Sequence, residues 1–189
     1  MREIEIKIKV NNLDDLEKKL KKQGCVFCEP INQHDTTYSQ DGSKSEYTCA
    51  KEGDIILRIR RQDKNSEFNI KKQCSCESDN IEYETHISDP GSMDKTLKLM
   101  GWIPQVEVKK MRKKGKWGIY EICLDQVDKL GSFLEIEKLT DDDSDPNEVR
   151  EELFNKIKVF GLGKSDEETR GYDTQIFQLE NNKHGTRIK

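Results

Sequence analysis

The 189-residue sequence predicts an α+β fold: an antiparallel β tunnel or barrel with a charged interior and helices packed outside it. Two patterns predict this. Strand-like segments along the whole chain alternate charged with branched apolar residues, which gives the sheet one ionic face. Three amphipathic segments with recognisable caps supply apolar faces to cover the other side. Composition agrees, with 32% hydrophobic and 37% charged residues against usual values of about 45–50% and about 25%. The charges nearly cancel, 33 Lys plus Arg against 37 Asp plus Glu for a net charge of -4. That balance argues against a nucleic-acid binder and against disorder, which pairs low hydrophobicity with large net charge. No stretch approaches the roughly 20 apolar residues of a membrane span, and the Met1-Arg2-Glu3 start lacks a signal-peptide core. A cytoplasmic protein with no membrane or nucleic-acid partner is expected.

The elements follow in order. Glu3 to Val10 alternates strictly and reads as a half-buried strand. Asn12 caps a helix carrying Leu13, Leu16 and Leu20, which Gly24 stops. Strands are expected around Cys25–Phe27, Ile31–Tyr38, Ile55–Gln62, Phe68–Gln73 and Ile81–Ile87, with a hairpin turn at Asp63–Ser66. Asp89-Pro90 opens a second helix through Met93, Leu97 and Met100 to Gly101. Val106–Lys114, Ile119–Val127 and Phe133–Leu139 read as strands, and Asp145-Pro146-Asn147-Glu148 caps a third helix. One domain over residues 1–175 and a loose tail over 176–189 are expected. Glu5 and Glu82, Gly24 and Gly101, and Arg58 and Glu135 recur at one spacing of 77 residues, which predicts two similar halves, about 1–77 and 78–160.

Several motifs are absorbed by this fold. Cys25-x2-Cys28 and Cys74-x-Cys76 do not make a usual zinc ribbon, and with Cys49 and Cys123 they read as reduced thiols. The basic run Lys109–Lys116 fits a strand with both faces basic. Asp141, Asp143, Asp145 and Glu152 mimic a calcium loop but place Pro146 where that loop needs Gly, so helix capping is preferred. His34 and His86 lack metal-ligand partners in the sequence.

Sorted by parity, one face collects Glu3, Glu5, Lys7, Lys9, Arg58, Arg60, Lys71, Glu82, Glu84, Lys110, Arg112, Asp125, Glu135 and Glu137. Carboxylates at i and i+2 lie about 6.6 Å apart on one face and repel unless a cation lies between them. Oxygen clusters without His or Cys suit Mg2+ or Mn2+, and paired Arg and Lys suit phosphate oxygens. Together they predict a site for a metal-bound polyphosphate.

These residues carry a family resemblance. Glu3-Ile4-Glu5-Ile6-Lys7 is similar to the E-x-E-x-K signature of the CYTH superfamily, the triphosphate tunnel metalloenzymes. In order along the chain, Arg58-x-Arg60, Lys71, Glu82-x-Glu84, Lys110-x-Arg112 and the stretch Leu124–Glu137 resemble that family's later motifs. The resemblance implies an eight-stranded antiparallel tunnel, a nucleoside or other organic triphosphate substrate, and Mg2+ or Mn2+ as cofactor. It implies that Lys7, Lys9, Arg58, Arg60, Lys71, Lys110 and Arg112 bind triphosphate. Glu3, Glu5, Glu82, Glu84, Asp125, Glu135 and Glu137 are the implied metal ligands, and Lys71, Asp125 and Tyr38 the implied catalytic groups. The opening strand and helix resemble the class IV adenylyl cyclase branch, which implies conversion of ATP to cyclic AMP and pyrophosphate. Asp35–Ser39 and Gly171-Tyr172-Asp173 depart from the family pattern. A thiamine or inorganic triphosphatase and a non-catalytic polyphosphate or nucleotide sensor therefore stand as alternatives, and a homodimer stays open.

Overall fold

A computed structural model of the chain describes residues 2–40, 52–63, 65–76, 79–141 and 143–185. In order these form β1 (Arg2–Val10), α1 (Leu13–Lys22), β2 (Val26–Phe27), β3 (Ile31–Ser39), β4 (Ile55–Gln62), β5 (Asn65–Cys76), β6 (Asp79–His86), α2 (Pro90–Leu99), β7 (Ile103–Trp117), β8 (Tyr120–Val127), β9 (Gly131–Thr140), α3 (Pro146–Ile157) and α4 (Tyr172–Gly185). The two residues of β2 append to β7. The other eight strands run β7-β3-β4-β5-β6-β1-β9-β8, and β8 pairs back onto β7. The result is a closed eight-stranded antiparallel barrel with its four helices outside the wall. The seam between β1 and β6 is short, three residue pairs between Arg2–Ile4 and Asp79–Ile81.

Alternation puts the apolar residues outward, which inverts the usual barrel. Ile4, Ile6, Ile8, Ile122, Leu124, Leu134 and Ile136 form a layer covered by Leu16 and Leu20 of α1 and by Val149, Leu153, Phe154 and Ile157 of α3. Leu97 of α2 covers Tyr38, Leu57 and Ile59 in a second cluster. Each such side chain contributes about 1.5–3 kcal/mol on full burial. The caps hold the helices in place: Asn12 Oδ1 accepts from the Asp15 amide at 2.9 Å, and Asp89 and Asp145 do the same for α2 and α3. Gly24 and Gly101 follow α1 and α2 with φ of 88° and 89°, the left-handed conformation that favours glycine.

Two expectations change. The 77-residue spacing carries β1 onto β6 and α1 onto α2, but it also carries Arg58 of β4 onto Glu135 of β9. In the ring, β4 stands two strands from β6 and β9 stands next to β1, so the two-fold order of pairing sets β4 opposite β8 and β5 opposite β9. The match of Arg58 with Glu135 therefore joins strands in different places.

The second change concerns the tail expected from residue 176, because the chain there continues as α4. Tyr172, Ile176 and Phe177 are buried against Val106, Val108, Val127 and Phe133. Those four share the inward parity of Lys110, Asp125 and Glu135, so α4 lies over one end of the barrel and closes it.

Candidate active site in the barrel

The interior encloses a cavity of about 170 Å³. Among the described residues its wall carries seven cations, Lys7, Arg58, Arg60, Lys71, Lys110, Arg112 and Lys114, with the acids Glu3, Glu5, Asp35, Glu82, Glu84, Glu135, Glu137 and Asp173. So dense a set of buried charges is stable only where partners and hydrogen bonds offset desolvation.

Much of the wall is paired. Asp35 accepts from Arg60 Nε and Nη2, both at 2.8 Å, and Asp125 accepts from Arg112 Nε at 2.8 Å and Nη2 at 2.5 Å. Both are two-point pairs that fix the guanidinium planes. Arg112 Nη2 also reaches Glu135, and the Tyr172 hydroxyl donates to Asp125 Oδ2 at 3.1 Å. Glu82 accepts from Lys71 at 2.6 Å and Arg58 at 3.1 Å. Burial pushes the Glu82 and Asp35 carboxyls up, but their cationic neighbours outweigh it, holding Glu82 down at about 2 and Asp35 well below the usual range. Glu135 is likewise held low by Arg112, Lys110 and Lys7 against its burial. Burial and the Arg112 charge bring Lys110 down to about 8.

A different region is acid on acid. Glu3, Glu5 and Glu137 each offer a carboxylate oxygen, all within 4.8 Å of one another. Burial, reinforced by Glu3, Glu121 and Glu5, raises Glu137 to about 9. Burial and Glu135 raise Glu5 to about 7, although Lys7 stands 3.9 Å away. Three oxygens crowded within 4.8 Å, two of them on carboxyls whose charge the surroundings disfavour, fit a hard divalent cation that all three would coordinate.

The cavity thus brings together Glu3, Glu5, Lys7, Arg58, Arg60, Lys71, Glu82, Glu84, Lys110, Arg112, Glu135 and Glu137. Asp125 faces inward but lies beneath the lining, fully buried and committed to Arg112, Tyr172 and, at 3.4 Å, Lys110. Lys9 does not line the cavity; it is exposed, with its ammonium 5.8 Å above the Phe133 ring. Tyr38 points outward, fully buried under α2, where its hydroxyl donates to Asp94 Oδ1 at 2.9 Å. Sequence reasoning missed Asp35, Thr37, Asn69 and Tyr172, all in the cavity wall. Parity alone finds the first two, since Asp35 and Thr37 alternate with the outward Tyr38. Among the other motifs, Asp145 caps α3 and Glu152 binds Lys138 at 2.8 Å. Cys25 is a buried and Cys28 an exposed free thiol, and Cys49 lies outside the described residues.

The family model of the CYTH domain matches residues 1–172, and the chain belongs to the CYTH family. It is 30% identical over 166 residues to a Methanocaldococcus jannaschii protein named Putative adenylate cyclase MJ0240, covering 87% of this chain and 92% of that one. Protein PH1012 of Pyrococcus horikoshii OT3 superposes with a TM-score of 0.76 at 26% identity, over 90% of this chain and 96% of that one. A Hippeastrum protein named Putative adenylyl cyclase HpAC1, described as revealing a dominant triphosphatase activity, shares the fold with a TM-score of 0.62 at 17% identity, over 95% of each chain. Among the described residues no helix is long and apolar enough to cross a membrane.

Proposed function

We propose that this protein is a divalent-metal-dependent enzyme acting on a triphosphate, and that its reaction converts ATP to cyclic AMP and pyrophosphate. The observation that carries the proposal is the division of one cavity into a cation-lined cradle and a carboxylate trio at Glu3, Glu5 and Glu137. Bound there, Mg2+ or Mn2+ would supply Lewis-acid polarisation and ease deprotonation of a hydroxyl. Lys7, Arg58, Arg60, Lys71, Lys110 and Arg112 hold the phosphate oxygens and offset the charge that develops on the leaving pyrophosphate. Burial works against the Lys71 charge, but Glu82 and Glu3 outweigh it and raise its pKa, so Lys71 stays protonated and acts as a fixed charge. Asp125 and Glu135 hold Arg112 in register, and Asp35 holds Arg60. Burial and Arg112 lower Lys110 toward neutrality, and a bound phosphate would push it back toward the charged form.

The cyclase reading draws on the name carried by the M. jannaschii relative, and the Hippeastrum homologue favours a second reading in which the same cradle aims water at a terminal phosphorus. One experiment separates them. The protein is incubated with ATP, thiamine triphosphate or tripolyphosphate in the presence of Mg2+ or Mn2+, and the products are resolved. Cyclic AMP with pyrophosphate is the expected outcome. Orthophosphate from tripolyphosphate or thiamine triphosphate, without cyclic nucleotide from ATP, overturns the cyclase reading in favour of hydrolysis. Tight binding without turnover of any of the three points to a sensor.

A further inference from the structure

β1 is paired with β9 along its whole length, but with β6 only from Arg2 to Ile4. Among the described residues no strand runs beside its other edge from Glu5 onward, where Glu5 of the carboxylate trio and the cradle cation Lys7 stand. Backbone acceptors at such an edge need partners from elsewhere. A side chain supplies the first: Arg150 of α3 donates through Nη1 to the Glu5 carbonyl at 3.0 Å. Its Nη2 donates to Glu167 Oε1, and the segment that begins at Glu167 supplies the rest. Glu167 bridges to Ile8, the Glu168 amide donates to the Lys7 carbonyl at 2.8 Å, and the Lys7 ammonium donates to the Arg170 carbonyl at 3.0 Å.

A long cation on an outer helix ordinarily extends its head into water. Arg150 does the reverse. Its side chain is only 19% exposed, and the guanidinium lies 6.0 Å from the centre of the Phe154 ring, in the core that covers β1. The planar fork serves two acceptors in fixed geometry, here the backbone of Glu5 and the carboxylate that anchors the 167–170 segment. Metal ligands bind best when already held near their coordinated positions. β9 holds Glu137 and one edge of β1, and Arg150 holds the other edge at Glu5 itself. We propose that Arg150 is a positioning residue for the metal site, fixing the backbone of Glu5 so that its carboxylate stays beside Glu3 and Glu137. The inference rests on the reading of that trio as a divalent-metal site.

Electron paramagnetic resonance of Mn2+ titrated into the full chain without triphosphate gives a dissociation constant from the free-ion signal, independently of turnover. Arg150→Ala is expected to weaken Mn2+ binding by about tenfold or more, the usual cost of losing a group that orients a metal ligand. Glu152→Ala is the comparison. It frees the same helix from Lys138 of β9 and from the Tyr120 hydroxyl of β8 but keeps the contact to Glu5, and it is expected to leave the constant unchanged. Arg150→Lys, which cannot hold Glu5 and Glu167 together, is read in the same way if the alanine variant does not fold. Equal losses in the Arg150 and Glu152 variants show that Arg150 acts only by holding α3 down, and unchanged binding in a folded Arg150 variant shows that Glu5 is held without it. Either result overturns the inference and leaves the metal reading intact. Mn2+ binding that is absent in the unaltered protein, or unchanged in Glu137→Gln, overturns the metal reading and the inference with it.

Discussion

Glu135 and Glu137 sit two residues apart on the same face of β9, yet their surroundings oppose each other. Glu135 is held low by Arg112 against its burial, while burial, reinforced by Glu3, Glu121 and Glu5, lifts Glu137 to about 9. Neutralising them should therefore move metal-free stability in opposite directions. Glu137→Gln is expected to raise the melting temperature near pH 8, since the folded protein holds that carboxyl protonated whereas the unfolded chain ionises it, and to abolish metal-dependent turnover. Glu135→Gln is expected to lower it, because Arg112 loses a buried partner. Thermal melts without metal check the pair, and a shift of the same sign in both would remove the distinction. The pH dependence follows from the same groups. A carboxyl whose folded pKa is raised contributes stability that is full below its ordinary value of 4.5 and is lost as pH rises through the folded value. Glu5 at about 7 and Glu137 at about 9 place this loss between pH 5 and 9. Glu82, held at about 2, loses its contribution only in acid. Lys110, lowered to about 8, works the other way above that pH. Melting temperature without metal is thus expected to fall from pH 5 to pH 8 and to recover on adding Mn2+. A flat profile over that range would show that the trio is not electrostatically strained.

At the scale of elements, the two tyrosines show what sequence periodicity carries. The strict alternation of β1 was legible at once, because every second residue from Glu3 to Lys9 is charged and the intervening Ile4, Ile6 and Ile8 are fully buried. In β3 the alternation is hidden: Gln33, Asp35 and Thr37 face inward among the outward His34, Thr36 and Tyr38, all polar or amphipathic types. The pairing with β7 also shifts register between Thr37 and Tyr38. A motif resemblance therefore assigned Tyr38 to the chemistry, whereas its hydroxyl ties β3 to α2 through Asp94. Tyr172 holds the inward place, on Asp125 and 4.7 Å beneath the Lys7 ammonium. Tyr38→Phe is expected to cost about 1 kcal/mol of stability through the lost hydrogen bond and to change kcat by less than about threefold. Tyr172→Phe is expected to lower kcat/KM by about tenfold through displacement of the groups it orders. Steady-state kinetics on both variants decides, and a loss of about 100-fold in Tyr38→Phe would place that hydroxyl in the reaction after all.

Over the whole molecule, the charged interior and the apolar exterior make one requirement of the ends: a cavity that concentrates buried ions must limit its contact with water to strengthen their fields. The ring of strands closes the sides, and α4 closes one end with Tyr172, Ile176 and Phe177 on Val106, Val108, Val127 and Phe133. The sequence hid this helix because its apolar positions are few and the segment runs out into Glu180, Asn181 and Asn182. The inward Val106, Val108 and Phe133 were the available signal, since apolar residues on an ionic face need a partner. Phe177→Ala is expected to cost about 3 kcal/mol, or about 6–12 °C for a domain of this size. Ending the chain at Arg170 should cost more, because it exposes that apolar ring and also removes the Tyr172 hydroxyl from Asp125. If α4 closes the cavity, both changes should weaken triphosphate binding along with stability, and calorimetry at a temperature where each variant is folded separates the two effects. Unchanged affinity in the shortened chain would show that the end of the barrel beneath α4 takes no part in holding the ligand.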